Sequence, residues 1–237
     1  MAVAFDRGEL PHACGEARVS GIADAVLFDL DGTLADTAPD LIAAANRLRE
    51  QLGRAPVPEA AVRNAVSKGG AAILRAAFVD APELAPSLLE RYLAVYRERI
   101  HVHTRLFAGM EDVLARVEAA GRPWGIVTNK PGWLTTPLLA AMGLDRRAGA
   151  VVSGDTLAQR KPAPEPVLHA CRTLGVAPAR ALMVGDDRRD IEAAHAAGAA
   201  SVLVDWGYYG EDEAPGGWGA QHRIARPAQL LALLGLD

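Results

Sequence analysis

Lysine is nearly missing from this chain. In 237 residues there are only Lys68, Lys130 and Lys161, and arginine carries almost all the positive charge. An ammonium is a compact, movable point charge and a guanidinium a planar fork, so the two are not interchangeable at a tight phosphate site. The bland reading of the three lysines is chance. Cysteine is equally scarce. Cys14 and Cys171 show no metal-binding spacing and read as free thiols in a reducing, cytoplasmic setting. No apolar run approaches the ~18 residues of a membrane span. No basic run exists, and the net charge is −4, which argues against nucleic acid and anionic membrane as partners. Neither a glycine-rich dinucleotide fingerprint nor a P-loop is present. Residues 1–23 lack an apolar stretch behind a basic start, so they do not read as a signal peptide. They are expected to form a loosely ordered leader in which His12 and Cys14 make no metal site. The length suits one domain plus an insertion, with roughly 70–75% of the unfolded surface buried and no need of a disulfide.

What is present begins at Ala25-Val-Leu-Phe-Asp29-Leu-Asp31-Gly32-Thr33. Apolar, strand-forming residues run into a turn. Strand alternation sends Asp29 and Asp31 to the same side, and Gly32 permits a sharp turn beneath them. Like charge at this spacing raises one of the two pKa values. A hard cation such as Mg²⁺ relieves the clash, and so does a proton held by one partner. The alternative is an acidic surface turn.

Thr37-Ala-Pro39-Asp40 then reads as a capping-box helix start, with Leu41, Ile42, Ala45, Leu48 and Leu52 at helical spacing. A short helix over 59–66, the loop Ser67-Lys68-Gly69-Gly70, another helix to about Phe78 and a longer one over 88–100 follow. Residues 37–104 thus read as an all-helical insertion after the first strand. Beyond it, strands over 124–128, 150–153, 181–184 and 201–204 alternate with helices, ending in a helix over 227–234. This rhythm predicts an α/β fold with a Rossmann-like parallel sheet, helices on both faces, and the ligand beyond the carboxyl ends of the strands. The expected division is a core of 24–36 and 105–237 with a helical cap of 37–104.

Polar signals stand at those strand ends. Thr128-Asn129-Lys130-Pro131 combines a hydroxyl, backbone amides and a helix start, which is either an anion cradle or a plain cap. In Lys161-Pro162-Ala-Pro164-Glu-Pro166 the prolines hold Lys161 in place or serve the next helix. Gly185-Asp186-Asp187-Arg-Arg-Asp190 places carboxylates facing Asp29, and acidic oxygens plus water suit Mg²⁺. Together these groups fit phosphoryl transfer through an aspartyl-phosphate.

In order, Asp29-x-Asp31-Gly-Thr, Thr128, Lys161-Pro and Gly185-Asp186-x-x-x-Asp190 resemble the four motifs of the haloacid dehalogenase superfamily, over about Ala25 to Leu234. The pattern looks like its phosphatases with a helical cap; Asp31 separates it from true dehalogenases. Trp124-Gly-Ile-Val-Thr-Asn-Lys-Pro131, Trp206-Gly-Tyr-Tyr and Trp218-Gly-Ala are similar to bacterial phosphoglycolate phosphatases and N-acetylmuramic acid 6-phosphate phosphatases. Ala163 departs from the pattern, standing where many relatives carry His. The resemblance implies Asp29 as nucleophile and Asp31 as general acid and base. It implies Mg²⁺ on Asp29, the Asp31 carbonyl and Asp186, and phosphate bound by Thr128, Asn129 and Lys161. Asp187 and Asp190 would support the site. Within the cap, Lys68 with Gly69 and Gly70 would read a second negative charge on the substrate. The expectation is a Mg²⁺-dependent phosphomonoesterase, monomer or homodimer, acting on a small molecule. The resemblance favours 2-phosphoglycolate, with N-acetylmuramic acid 6-phosphate or another sugar phosphate as the alternative. A sugar phosphomutase on the same scaffold and a non-enzymatic phosphate-responsive module stay open, although receiver modules of the latter kind lack a helical insertion.

Overall fold

A computed structural model describes residues 22–210 and 213–237; the leader's His12 and Cys14 lie outside the described residues. Ala25–Phe28 forms β1, and all four residues are buried, as a strand covered on both faces requires. Then come β2 (Ala35–Asp36), α1 (Ala38–Gln51), α2 (Gly70–Ala77), α3 (Leu89–Glu98) and β3 (Arg105–Leu106). After these the chain alternates α4 (Met110–Ala119), β4 (Trp124–Val127), α5 (Gly132–Met142), β5 (Ala150–Val152), α6 (Glu165–Leu174) and β6 (Ala181–Gly185). It closes with α7 (Arg188–Ala197), β7 (Ala200–Val204), β8 (His222–Ile224) and α8 (Gln229–Leu234).

Six strands make one sheet in the order β5-β4-β1-β6-β7-β8, and every pair is parallel. The expected Rossmann-like sheet is therefore what forms. β1 lies at its centre, with Val26 beside Trp124 and Leu182. Its two neighbours, β4 and β6, carry the segments at 128–130 and 186–190, so the register itself brings these to the end of β1. The edge strand β8 is an addition to the strands expected from the sequence: it is three residues long, with one of them buried, too short to show a period.

The two-residue strands β2 and β3 pair antiparallel, Ala35 with Leu106 and Asp36 with Arg105, and join core to cap. α1, α2 and α3 lie between them. Leu41, Leu48, Ile73, Leu74, Phe78 and Tyr92 are buried in the cap, and the Tyr92 hydroxyl donates to the Leu41 carbonyl at 3.1 Å. The expected helix at 59–66 is instead two 3₁₀ turns, Glu59–Ala61 and Arg63–Ala65.

The capping box expected at Thr37 does not form. Thr37 makes no side-chain cap bond; its hydroxyl donates to Asp31 Oδ1 at 2.6 Å. Asp40 turns to the returning chain, where its carboxylate accepts from the Val102, His103 and Thr104 amides and the Thr104 hydroxyl at 2.8–3.0 Å. Both residues obey tertiary partners rather than local propensity. Burial acts to raise the Asp40 pKa, but these hydrogen bonds outweigh it and hold the carboxyl below its ordinary value.

Candidate active site

Asp29 leaves the C-terminal end of the central strand with its amide bonded to the Val184 carbonyl at 2.9 Å. Its Oδ1 lies 2.6 Å from Lys161 Nζ. Lys161 is buried; its ammonium also donates to the Val127 carbonyl at 2.5 Å and meets Asp190 Oδ1 at 2.6 Å. Asp190 is held in turn by its place at the start of α7. There Asp187 and Asp190 form a reciprocal capping box, and the Asp187 amide donates to Asp190 Oδ2 at 3.1 Å. A side chain at Gly185 would meet Asp190 Oδ2 at 2.2 Å, so glycine is needed for this close approach.

Asp186 is buried between core and cap. Its Oδ1 accepts from the Thr33 hydroxyl at 3.0 Å, and its Oδ2 from the Ser67 hydroxyl at 2.6 Å and the Tyr208 amide at 2.9 Å. Ser67 Oγ also stands 3.3 Å from the Asp31 carbonyl oxygen. Gly32 has φ +92°, and a Cβ there would fall 2.3 Å from Asp186 Oδ2. The turn and the close approach both demand glycine.

One carboxylate oxygen each of Asp29, Asp186 and Asp190 lies within 4.8 Å of the others, and all three residues are buried. Burial pushes the Asp29 carboxyl up against the pull of Lys161, and burial with the charges of Asp29 and Asp190 pushes Asp186 up. Lys161 is lifted by Asp190 and Asp29 in spite of its burial and stays an ammonium. Three buried carboxylates thus face one ammonium. This surplus of negative oxygen, with no sulfur or imidazole in the cluster, fits a hard divalent cation such as Mg²⁺.

Asp31 has its own cation. Lys130 Nζ lies 2.9 Å from Asp31 Oδ1 and 3.3 Å from Oδ2, buried, and 4.7 Å over the ring of Tyr96 on cap helix α3. Nothing local in the sequence marks Lys130 as the partner of Asp31. Its scarcity as a lysine was the available signal.

Thr128 is buried and accepts the Lys130 amide at 3.2 Å. Asn129 Nδ2 donates to the Lys161 carbonyl at 2.8 Å, while its Oδ1 is buried with no partner among the described residues. The first amide of α5, at Gly132, is taken by Asp155 Oδ1 at 2.8 Å, which narrows the anion cradle expected there.

A cavity of about 340 Å³ opens over these groups, with Asp29, Asp31, Thr128 and Lys161 on its floor. Ser67, Lys68, Gly69 and Gly70 line it from the cap. The cap loop is tied down at both sides of its tip. Arg189, bonded to Asp187 at 2.8 Å, also donates to the Ser67 carbonyl at 2.6 Å, and Lys68 Nζ pairs with Glu213 Oε1 at 2.7 Å. Gly70 serves packing, since a Cβ there would sit 3.0 Å from Leu89 Cδ1; Gly69 adopts φ +87° with open space around it. Ser67 and Arg189 gave no signal of this latch, because each partner comes from a distant segment.

A family model described as haloacid dehalogenase-like hydrolase matches residues 26–204. The chain is 42% identical over 213 residues to the N-acetylmuramic acid 6-phosphate phosphatase of Pseudomonas aeruginosa, covering 89% of this chain and 94% of that protein. It is 44% identical over 207 residues to the phosphoglycolate phosphatase of Xanthomonas campestris pv. campestris, covering 87% and 94%. A solved structure from Haemophilus somnus, described as a predicted phosphoglycolate phosphatase, superposes with a TM-score of 0.77 at 28% identity, covering 88% of this chain and 96% of that one.

Proposed function

We propose that this chain, a phosphoric monoester hydrolase belonging to the haloacid dehalogenase-like hydrolases, hydrolyses a small carboxylated phosphomonoester through a phosphoryl group carried on Asp29. The observation that carries the reading is the cavity floor: Asp29, Asp31, Thr128 and Lys161 all line it, and the ammonium lies 2.6 Å from the Asp29 carboxylate.

In the first step Asp29 attacks phosphorus, the bond to the leaving oxygen breaks, and Asp31 supplies the proton that this oxygen needs. In the second, water attacks phosphorus, the Asp29–phosphorus bond breaks, and Asp31 takes the water's proton. Lys130 and Thr37 both donate to Asp31 Oδ1, and so fix the orientation of the carboxylate. Lys161 and Thr128 sit where they can bind oxygens of the transferring group. Asp29, the Asp31 carbonyl and Asp186 would hold Mg²⁺, which when bound neutralises phosphate charge. The cap, latched at Ser67 and Lys68, would limit the access of bulk water to the reacting groups.

Relatives of nearly equal identity carry two substrate names. The resemblance puts 2-phosphoglycolate first. N-acetylmuramic acid 6-phosphate is the second reading, favoured by a cavity of about 340 Å³ that a two-carbon acid leaves partly unfilled. Phosphate release from both esters with Mg²⁺ present tests the function. Release from at least one, abolished in Asp29→Asn, is expected. Release from neither, or an active folded Asp29→Asn, contradicts it.

A further inference from the structure

Five cationic side chains line the cavity: Lys68, Lys130, Arg160, Lys161 and Arg189. Four are committed to protein acceptors. Lys161 is on Asp29 and Asp190, and Lys130 on Asp31. Arg189 is on Asp187 and the Ser67 carbonyl, and Lys68 on Glu213. The Arg160 guanidinium has no hydrogen bond or ion pair among the described residues, and the residue is exposed; only its backbone carbonyl is engaged, by the Ala163 amide at 3.0 Å.

The opposite wall sharpens the contrast. Leu41, Val66, Ile73, Leu89 and Leu93 line the cavity from the cap side with apolar groups. A carboxylate set against such a surface loses hydration and gains no partner, which costs free energy. Both substrates named for the relatives carry a carboxylate on the leaving group. With the phosphate on the floor beside Lys161, that group extends toward the rim. Arg160, next in the chain to Lys161, brings a cation to the cavity from the core side.

From this we infer that Arg160 is the residue that selects for the carboxylate of the leaving group, while the cap contributes apolar contact. The inference rests on the phosphatase reading above and narrows its substrate class. It moves substrate charge recognition away from Lys68, whose ammonium Glu213 already holds. A planar guanidinium suits a carboxylate because two parallel N–H groups match its two oxygens.

Two matched pairs of esters isolate the carboxylate: 2-phosphoglycolate against ethyl phosphate, and N-acetylmuramic acid 6-phosphate against N-acetylglucosamine 6-phosphate. The readout is the ratio of kcat/KM within a pair, with Mg²⁺ present and folding checked by thermal melt. Arg160→Ala should lower that ratio by about 10- to 100-fold in the pair that is turned over, the value of a charged hydrogen-bonded contact. Arg160→Lys should recover part of it. Lys68→Ala should leave the ratio near that of the unsubstituted protein. An unchanged ratio in Arg160→Ala overturns the assignment alone, as does a ratio that collapses in Lys68→Ala instead. Absence of turnover on all four esters overturns the phosphatase reading and this assignment with it.

Discussion

Lys130 pairs with the half-buried Asp31 at 2.9 Å, and its own ammonium is buried beneath the ring of Tyr96 from the cap. A general acid works only if its oxygen points at the leaving group. With Thr37 donating to the same oxygen, Lys130 leaves Asp31 little rotamer freedom.

Lys130→Met should therefore remain folded and lose roughly 10- to 100-fold in kcat, no more than the lower end of the 10²–10⁴ that general acid–base catalysis supplies, because Asp31 itself is still present. The loss should be larger for an alkyl phosphate than for p-nitrophenyl phosphate, whose leaving oxygen needs no proton. A loss of equal size on both esters would mean that Lys130 acts on phosphate binding or on folding instead.

Asp40 ties the outgoing and returning cap connections together, so Asp40→Asn should destabilise the fold by roughly 1–3 kcal/mol, several degrees in Tm for a chain of this length. The effect should depend on pH. Because the folded carboxyl is held below its ordinary value, its stabilisation is complete above the unfolded pKa of about 3.9. It fades as pH falls through the lower, folded value. The difference in Tm between the two proteins should be full at pH 7 and shrink below about pH 4. A difference that stays constant into acid assigns the effect to shape rather than charge.

Much of the core could be read from the sequence because its signals are local. Apolar runs that end in Asp29, Thr128 and Asp186 mark strands and their polar ends within a few residues, and the alternation with helices implies parallel pairing. The parts that escaped are long-range. Thr37 has the residue type of an N-cap, yet Asp31 competes for its hydroxyl and wins. Ser67 reaches Asp186, 119 positions away. Lys68 looked like a free cation beside glycines, and only the fold brings Glu213 to it. β8 escaped for the opposite reason, being too short to show a period.

Removing divalent ions with a chelator should abolish phosphate release, and adding Mg²⁺ should raise the Tm. At 100 times the dissociation constant the ligand contributes about 2.7 kcal/mol, which is several degrees here. Asp186→Ala should remove the Mg²⁺-dependent rise. A Tm shift of the same size in that variant would place the cation elsewhere.

The most direct measurement is to find where the phosphoryl group rests. Asp31→Asn, in which the second step should be slow, is mixed with a ³²P-labelled aryl phosphomonoester and Mg²⁺, quenched in acid and digested. Label is expected on the peptide containing Asp29, released by hydroxylamine as an acyl phosphate is, and absent when Asp29→Asn is added. Label on any other residue, or label that persists in the Asp29→Asn protein, would contradict the assignment of Asp29 as the group that carries the phosphoryl.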